Sequence, residues 1–106
     1  MPKGGDDAAV FAALGDPTRL AIVNRLGVEG SASIVGLTEG ADMSRQAVTK
    51  HLYVLEKAGL VTCVRRGRTS LWTLKRQKLE AARAALDAIS RQWDEALARL
   101  RALVED

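Results

Sequence analysis

Ser44-Arg45-Gln46-Ala47-Val48-Thr49-Lys50-His51-Leu52 leads through Leu55 to Gly59, then into Leu60-Val61-Thr62-Cys63-Val64 and the tip Arg65-Arg66-Gly67-Arg68. This stretch decides the fold. Ser44 is a good N-cap, because its hydroxyl can accept an N–H that the first helical turn leaves unpaired. Val48, Leu52 and Leu55 then fall on one helical face, and Gly59 ends the pattern. The next run is rich in β-branched residues, turns at Arg66-Gly67-Arg68 and returns as Thr69-Ser70-Leu71-Trp72-Thr73-Leu74. That pattern predicts a β-hairpin with a basic, glycine-bearing tip. A capped amphipathic helix followed by such a hairpin reads as the second half of a winged helix-turn-helix, whose second helix lies in the DNA major groove.

Upstream, Val10, Phe11 and Leu14 recur at helical spacing from Asp6 to Leu14, after a tail at residues 1–5 that is expected to be flexible. Asp16-Pro17 marks the next helix start, with a capping carboxylate and a proline suited to the first helical position. That helix carries Leu20, Val23 and Leu26 and is expected to stop at Gly27. Ser31 or Ser33 caps a short third helix with Ile34 and Leu37, and Gly40-Ala41-Asp42-Met43 reads as a tight turn.

Downstream, residues 75–104 contain neither proline nor glycine and are dominated by alanine, leucine and arginine, which predicts one long helix. Ala82, Leu86, Ile89, Trp93, Ala96, Leu100 and Leu103 follow a 4-3 spacing. A helix of ~30 residues is about 45 Å long, more than the short first helix can cover. The seam therefore calls for a partner, most simply a second copy of the chain. On this helix the expected dimer interface comprises Leu86, Ile89, Trp93, Leu97 and Leu100. Packing of the seam on the chain's own first helix is the competing arrangement.

The 106 residues allow one domain, residues 6–106, including the C-terminal helix. The fold class is mainly α with a small β-hairpin wing, in the order α-α-α-α-β-β-α. The apolar fraction of 47% and charged fraction of 27% argue against disorder. No apolar run reaches the ~18–20 residues of a membrane helix. Residues 1–7 lack the apolar segment of a secretion signal. The single cysteine cannot form an internal disulfide, so a cytoplasmic setting is expected. There is no cluster of cysteine and histidine for a metal site, and no cofactor is expected.

The net charge of +3 is concentrated. Residues 41–80 hold nine basic and three acidic side chains, whereas the flanking segments are slightly acidic. Such a basic third fits a polyanion binder or a solvated face without a partner; joined to the winged helix-turn-helix reading, it makes double-stranded DNA the expected partner. Ser44, Arg45, Gln46, Thr49, Lys50 and His51 are the expected contacts from the helix, with Arg65, Arg66 and Arg68 from the wing. Arginine can pair bidentately with guanine and glutamine with adenine, while threonine offers a hydroxyl and a methyl. Ser44 and the helix N-terminus suit a phosphate. The wing arginines can reach phosphates or a narrow minor groove. A polar outer face alone is common to surface helices; its combination with the inward triad and the basic tip carries the reading.

Several residues have competing roles. Cys63 has Arg65 two positions away, which favours a reactive thiolate, but a lone strand cysteine is expected to pack as a small hydrophobe. His51 is the only histidine and makes no metal site by itself; packing or hydrogen bonding at the edge of the recognition helix is expected of it beside a phosphate contact. Trp93 belongs to the seam, and Trp72 is expected to be structural. No nucleophile elbow, phosphate loop or HExxH is present, so the chain reads as a non-enzyme.

Phe11-Ala12-Ala13-Leu14-Gly15-Asp16-Pro17-Thr18-Arg19-Leu20 resembles the opening of ArsR-type bacterial repressors. Ser44 to Leu52, Val54 to Val61 and Arg66-Gly67-Arg68 are similar to their recognition helix, its exit and their wing tip. Ile89-Ser90-Arg91-Gln92-Trp93-Asp94 and Leu97-Ala98-Arg99-Leu100 resemble the tail of a subgroup without metal sites, often encoded beside START-like (SRPBCC) proteins. The resemblance spans about residues 8 to 105. It implies a homodimer through the first and last helices, with Val10, Phe11 and Leu14 of the first joining the seam residues of the last, placed on an inverted-repeat operator and repressing by blocking polymerase. Metal-sensing members use a cysteine pair on the third helix, or Asp, His and Glu positions on the last. Here residues 34–41 have no cysteine and residues 75–106 no histidine, so a metal response is not expected. A non-specific architectural DNA binder and a winged-helix protein-interaction module are the alternatives. The sequence names no small-molecule or protein effector.

Overall fold

Seven of the eight elements in the computed structural model follow the expected order, and the structure describes residues 4–39 and 42–105. Helix α1 spans Gly4–Leu14, α2 Pro17–Glu29, α3 Ile34–Thr38 and α4 Arg45–Lys57. Strands β2 (Val61–Arg66) and β3 (Thr69–Leu74) precede α5, Arg76–Glu105. The eighth element is β1, Ser31–Ala32, which the expected order α-α-α-α-β-β-α does not contain. It pairs antiparallel with β3, Ser31 opposite Thr73 and Ala32 opposite Trp72, giving a three-stranded sheet ordered β1-β3-β2. Two residues are too short for any periodicity to register, and only the long-range pairing makes them a strand.

Local chemistry explains the helix boundaries. Asp16 accepts the Arg19 N–H at 2.9 Å and Pro17 opens α2. The stop expected at Gly27 is corrected, since α2 continues to Glu29 and ends at Gly30. Gly30 has φ +87°, open to a residue without Cβ, and its N–H reaches Leu26 O at 2.8 Å. A glycine inside a helix costs only about 1 kcal/mol, less than the packing of Ile22, Val23 and Leu26 provides. Ser33, not Ser31, caps α3, accepting the Gly36 N–H at 3.0 Å. Ser44 caps α4 by accepting the Ala47 N–H at 3.1 Å. At the N-terminus, α1 takes in Gly4 and Gly5 of the expected tail, while residues 1–3 lie outside the described residues. The expected turn at Gly40-Ala41-Asp42-Met43 lies partly outside them as well.

The core joins every helix to the sheet. Val10, Leu26, Leu52, Leu55 and Leu60 are fully buried, with Val48, Val61 and Trp72 beside them. The inward triad of α4 is thus the floor on which its outer face is held. Val10 is corrected here as a dimer residue, because the chain's own core closes over it. Phe11 and Leu14 are half-buried at the edge of that core.

Helix α5 leaves the rest of the fold. Its first turns pack on α1 through Leu79 and Ala82, and beyond them its apolar side chains have no cover. Leu86, Ile89, Trp93, Leu97, Leu100 and Leu103 are all exposed, so the seam does not pack on the chain's own first helix. The molecule measures 68 × 33 × 20 Å with a radius of gyration of 18.2 Å. A compact chain of this length has about 13 Å. The projecting helix accounts for the difference.

Candidate nucleic-acid interface

Val48, Leu52 and Leu55 point into the core, and that fixes which α4 side chains face outward. Arg45, Gln46 and Lys50 are exposed near its N-terminal half, with Ser44 at the cap. Thr49 is half-buried, and its hydroxyl donates to Arg45 O at 2.7 Å. Its methyl and oxygen lone pairs remain for a partner, but its hydrogen does not.

His51 does not join this face. Successive helical residues are about 100° apart, and this step from Lys50 carries His51 toward α2. Its Nδ1 lies 3.5 Å from Arg19 Nη1 and 3.9 Å from Asp16 Oδ2, and the ring is half-buried. The structure places His51, expected among the DNA contacts, at the packing junction between α4 and the start of α2. Asp16 is held below its ordinary carboxylate pKa, chiefly because it accepts the Arg19 backbone N–H; partial burial opposes this, and the charges of Arg19 and His51 assist.

Sequence reasoning missed Tyr53. It lies seven residues after Gln46 and three after Lys50, so the three share one face. The ring is 59% exposed. Its inner edge meets Trp72 of β3, with centroids 6.3 Å apart at 64°, an edge-to-face contact. The 46-50-53 spacing was the available signal; a tyrosine between apolar neighbours passes easily for core. This contact ties the wing to α4. Trp72 itself is buried, and its indole N–H has no hydrogen-bond partner among the described residues.

The wing leaves the core as it rises. Val61 is buried, Thr62 half-buried, and every residue from Cys63 to Ser70 is exposed. Cys63 is thus not a packed hydrophobe, because β2 has already cleared the core at that point. The last paired residues are Arg66 and Thr69, which leaves Gly67-Arg68 as the loop. Gly67 has φ +61° and Arg68 does not have a positive φ. Glycine at the first of two central positions is the type II′ hairpin pattern, which suits the twist of the strands. Arg65, Arg66 and Arg68 are all exposed around this tip. Arg65 and Arg66, as strand neighbours, face opposite sides of the sheet.

Among the described residues, no three His, Cys, Asp or Glu side chains gather where they could hold a metal ion. No helix among them is long and apolar enough to cross a membrane.

This arrangement defines a winged helix-turn-helix, a capped helix presented beside a basic wing. A helix-turn-helix domain family matches residues 14–64. The chain is 41% identical over 70 residues to an uncharacterised HTH-type transcriptional regulator of Bacillus subtilis, YuzN, covering 60% of this chain and 76% of that protein. It is 38% identical over 93 residues to the HTH-type transcriptional regulator Rv2034 of Mycobacterium tuberculosis, covering 88% and 83%. A solved ArsR-like transcriptional regulator from Rhodococcus sp. RHA1 superimposes with a TM-score of 0.81 at 35% identity, covering 93% and 92%. The chain belongs to the ArsR family of helix-turn-helix transcriptional regulators, proteins that act by binding DNA and not by catalysis.

Proposed function

We propose that this chain is a sequence-specific, metal-independent repressor that acts in the cytoplasm as a homodimer on an inverted-repeat operator. One observation carries the reading. The capped N-terminal half of α4 exposes Arg45, Gln46 and Lys50 together, and the hairpin that follows carries three exposed arginines around its tip. Arg45 and Gln46 are the base readers, with guanine and adenine as their natural partners. Lys50, Arg65, Arg66 and Arg68 hold phosphates and set the salt dependence of binding. Ser44 and the first turn of α4 add a phosphate contact. The second chain covers the exposed stripe of α5, with Phe11 and Leu14 at the margin. Two recognition helices are then presented to half-sites about 34 Å apart.

The test is capture of genomic fragments by the purified protein, with sequencing, beside an Arg45→Ala/Gln46→Ala control. The expected result is an inverted repeat that the control loses. In direct titration, Gln46→Ala relaxes one base position by about 1–3 kcal/mol, whereas Arg68→Ala weakens all sequences alike and lowers the salt slope by about 1. Uniform recovery of fragments would instead identify a non-specific architectural binder. Affinity indifferent to salt would identify a protein-interaction module.

A further inference from the structure

Between α1 and α4 lies a groove of about 440 Å³, lined by Ala9, Ala12 and Ala13 on one side and Val54, Lys57 and Ala58 on the other, with Arg19 at one end. Its volume is in the range of small-molecule sites, about 300–1,000 Å³. Its floor is methyl groups. Among the described residues its charged lining members are the cations Arg19 and Lys57, and the Asp16 carboxylate, on which the charge of Arg19 acts, lies outside the lining beside His51. An apolar floor lined by two cations and no carboxylate is complementary to an apolar organic anion. We propose that this groove binds an aryl or alkyl carboxylate, its hydrocarbon against the alanines and its carboxylate between Arg19 and Lys57.

The position of Arg19 makes such a site consequential. Its Nε donates to Ala13 O at 2.8 Å, at the end of α1, and its Nη1 lies 3.5 Å from His51 Nδ1 on α4. One guanidinium thus connects the recognition helix to α1. A carboxylate in the groove competes for that guanidinium and draws it from His51. The coupling to DNA rests on the reading of α4 as the recognition helix; the binding site itself does not. Linkage requires that the ligand change DNA affinity by the same factor by which DNA changes ligand affinity.

The probe is 2-naphthoate, titrated calorimetrically into the whole protein, with 2-naphthalenemethanol as its uncharged counterpart. We expect saturable binding of one naphthoate per chain and at least tenfold weaker binding of the alcohol. Lys57→Gln weakens naphthoate, and Ala12→Leu, which fills the groove from an exposed position, abolishes it. Ala9→Leu is the second filling variant, should Ala12→Leu lose its helical circular dichroism. Ser90→Ala, an exposed position on α5 remote from the groove lining, leaves binding unchanged. Equal affinity for the alcohol, survival of binding in both filled variants, or loss in Ser90→Ala would overturn the site. So would absence of saturable binding, or naphthoate-driven dissociation of a dimer, which would give the groove to a second chain. For the coupling, saturating naphthoate should weaken binding to a captured DNA fragment at least fivefold, less so in Arg19→Gln. Bound naphthoate without effect on DNA affinity overturns the coupling alone. Naphthoate binding by a chain that captures no DNA leaves the site standing and refutes the regulator reading.

Discussion

Replacing Trp93 and Leu100 together by alanine tests what α5 is for. Leu86, Ile89, Trp93, Leu97 and Leu100 are between 47% and 66% exposed, and none is needed by the chain's own core. Fully burying such a side chain is worth about 1.5–3 kcal/mol, so covering the exposed half of each contributes ~1 kcal/mol. Ten such side chains across two copies supply ~10 kcal/mol, set against an association cost of about 4–15 kcal/mol. The dimer is therefore sensitive to small losses. The double substitution removes four side chains per dimer, at ~1 kcal/mol for each leucine and ~1.5 kcal/mol for each tryptophan. The sum is ~5 kcal/mol, or three to four decades in the dimer dissociation constant at about 1.4 kcal/mol per decade. Sedimentation velocity over a micromolar concentration series reads this directly. The wild-type chain should sediment as a dimer and the variant as a monomer, with unchanged helical circular dichroism. A wild-type monomer at all concentrations, or a variant dimer as tight as the wild type, would refute the argument.

Three further outcomes follow from the geometry. Ser44→Ala should cost about 1 kcal/mol in urea unfolding and weaken DNA binding, because the Ala47 N–H loses its acceptor where bases are read; an unchanged stability would show the cap to be idle. Leu52→Ala, at a fully buried position facing away from DNA, should cost about 2–5 kcal/mol. Calorimetric melting would contradict the core assignment if its midpoint did not fall. Asp16 has a lowered pKa in the folded chain, so its charge stabilises the fold above the ordinary carboxylate range, and that contribution is lost as pH falls through the folded value. Asn caps as well as Asp without titrating. Asp16→Asn should thus be less stable than wild type at neutral pH, with the gap closing under acid; a gap constant with pH in urea midpoints would exclude this role.

The elements that carry the interface were legible because their signals are local. Ser44 announces its helix by the chemistry of capping, Val48, Leu52 and Leu55 by their spacing, and Gly67 by its place between two β-branched runs. The partners of His51 were not legible, for a local reason too. It sits one residue beyond Lys50 in a polar stretch, and nothing nearby reveals that Asp16 and Arg19, more than thirty residues earlier, will face it. Tyr53 was overlooked because a ring can serve either face of a helix. Strand β1 was invisible because its identity lies in β3, about forty residues away.

By itself, then, the sequence determined the helix starts, the hairpin and its tip, the uncovered length of α5 and the basic band that marks DNA as partner. Each of these depends on interactions within a few residues, or on a period that repeats along one element. Only the tertiary structure decided that Val10 belongs to the chain's own core, that Cys63 lies clear of it and that His51 turns toward α2. It alone joined Tyr53 to Trp72 and opened a groove between α1 and α4. Those outcomes depend on which faces of separate elements meet, and side-chain spacing within one element carries no record of its neighbour's orientation.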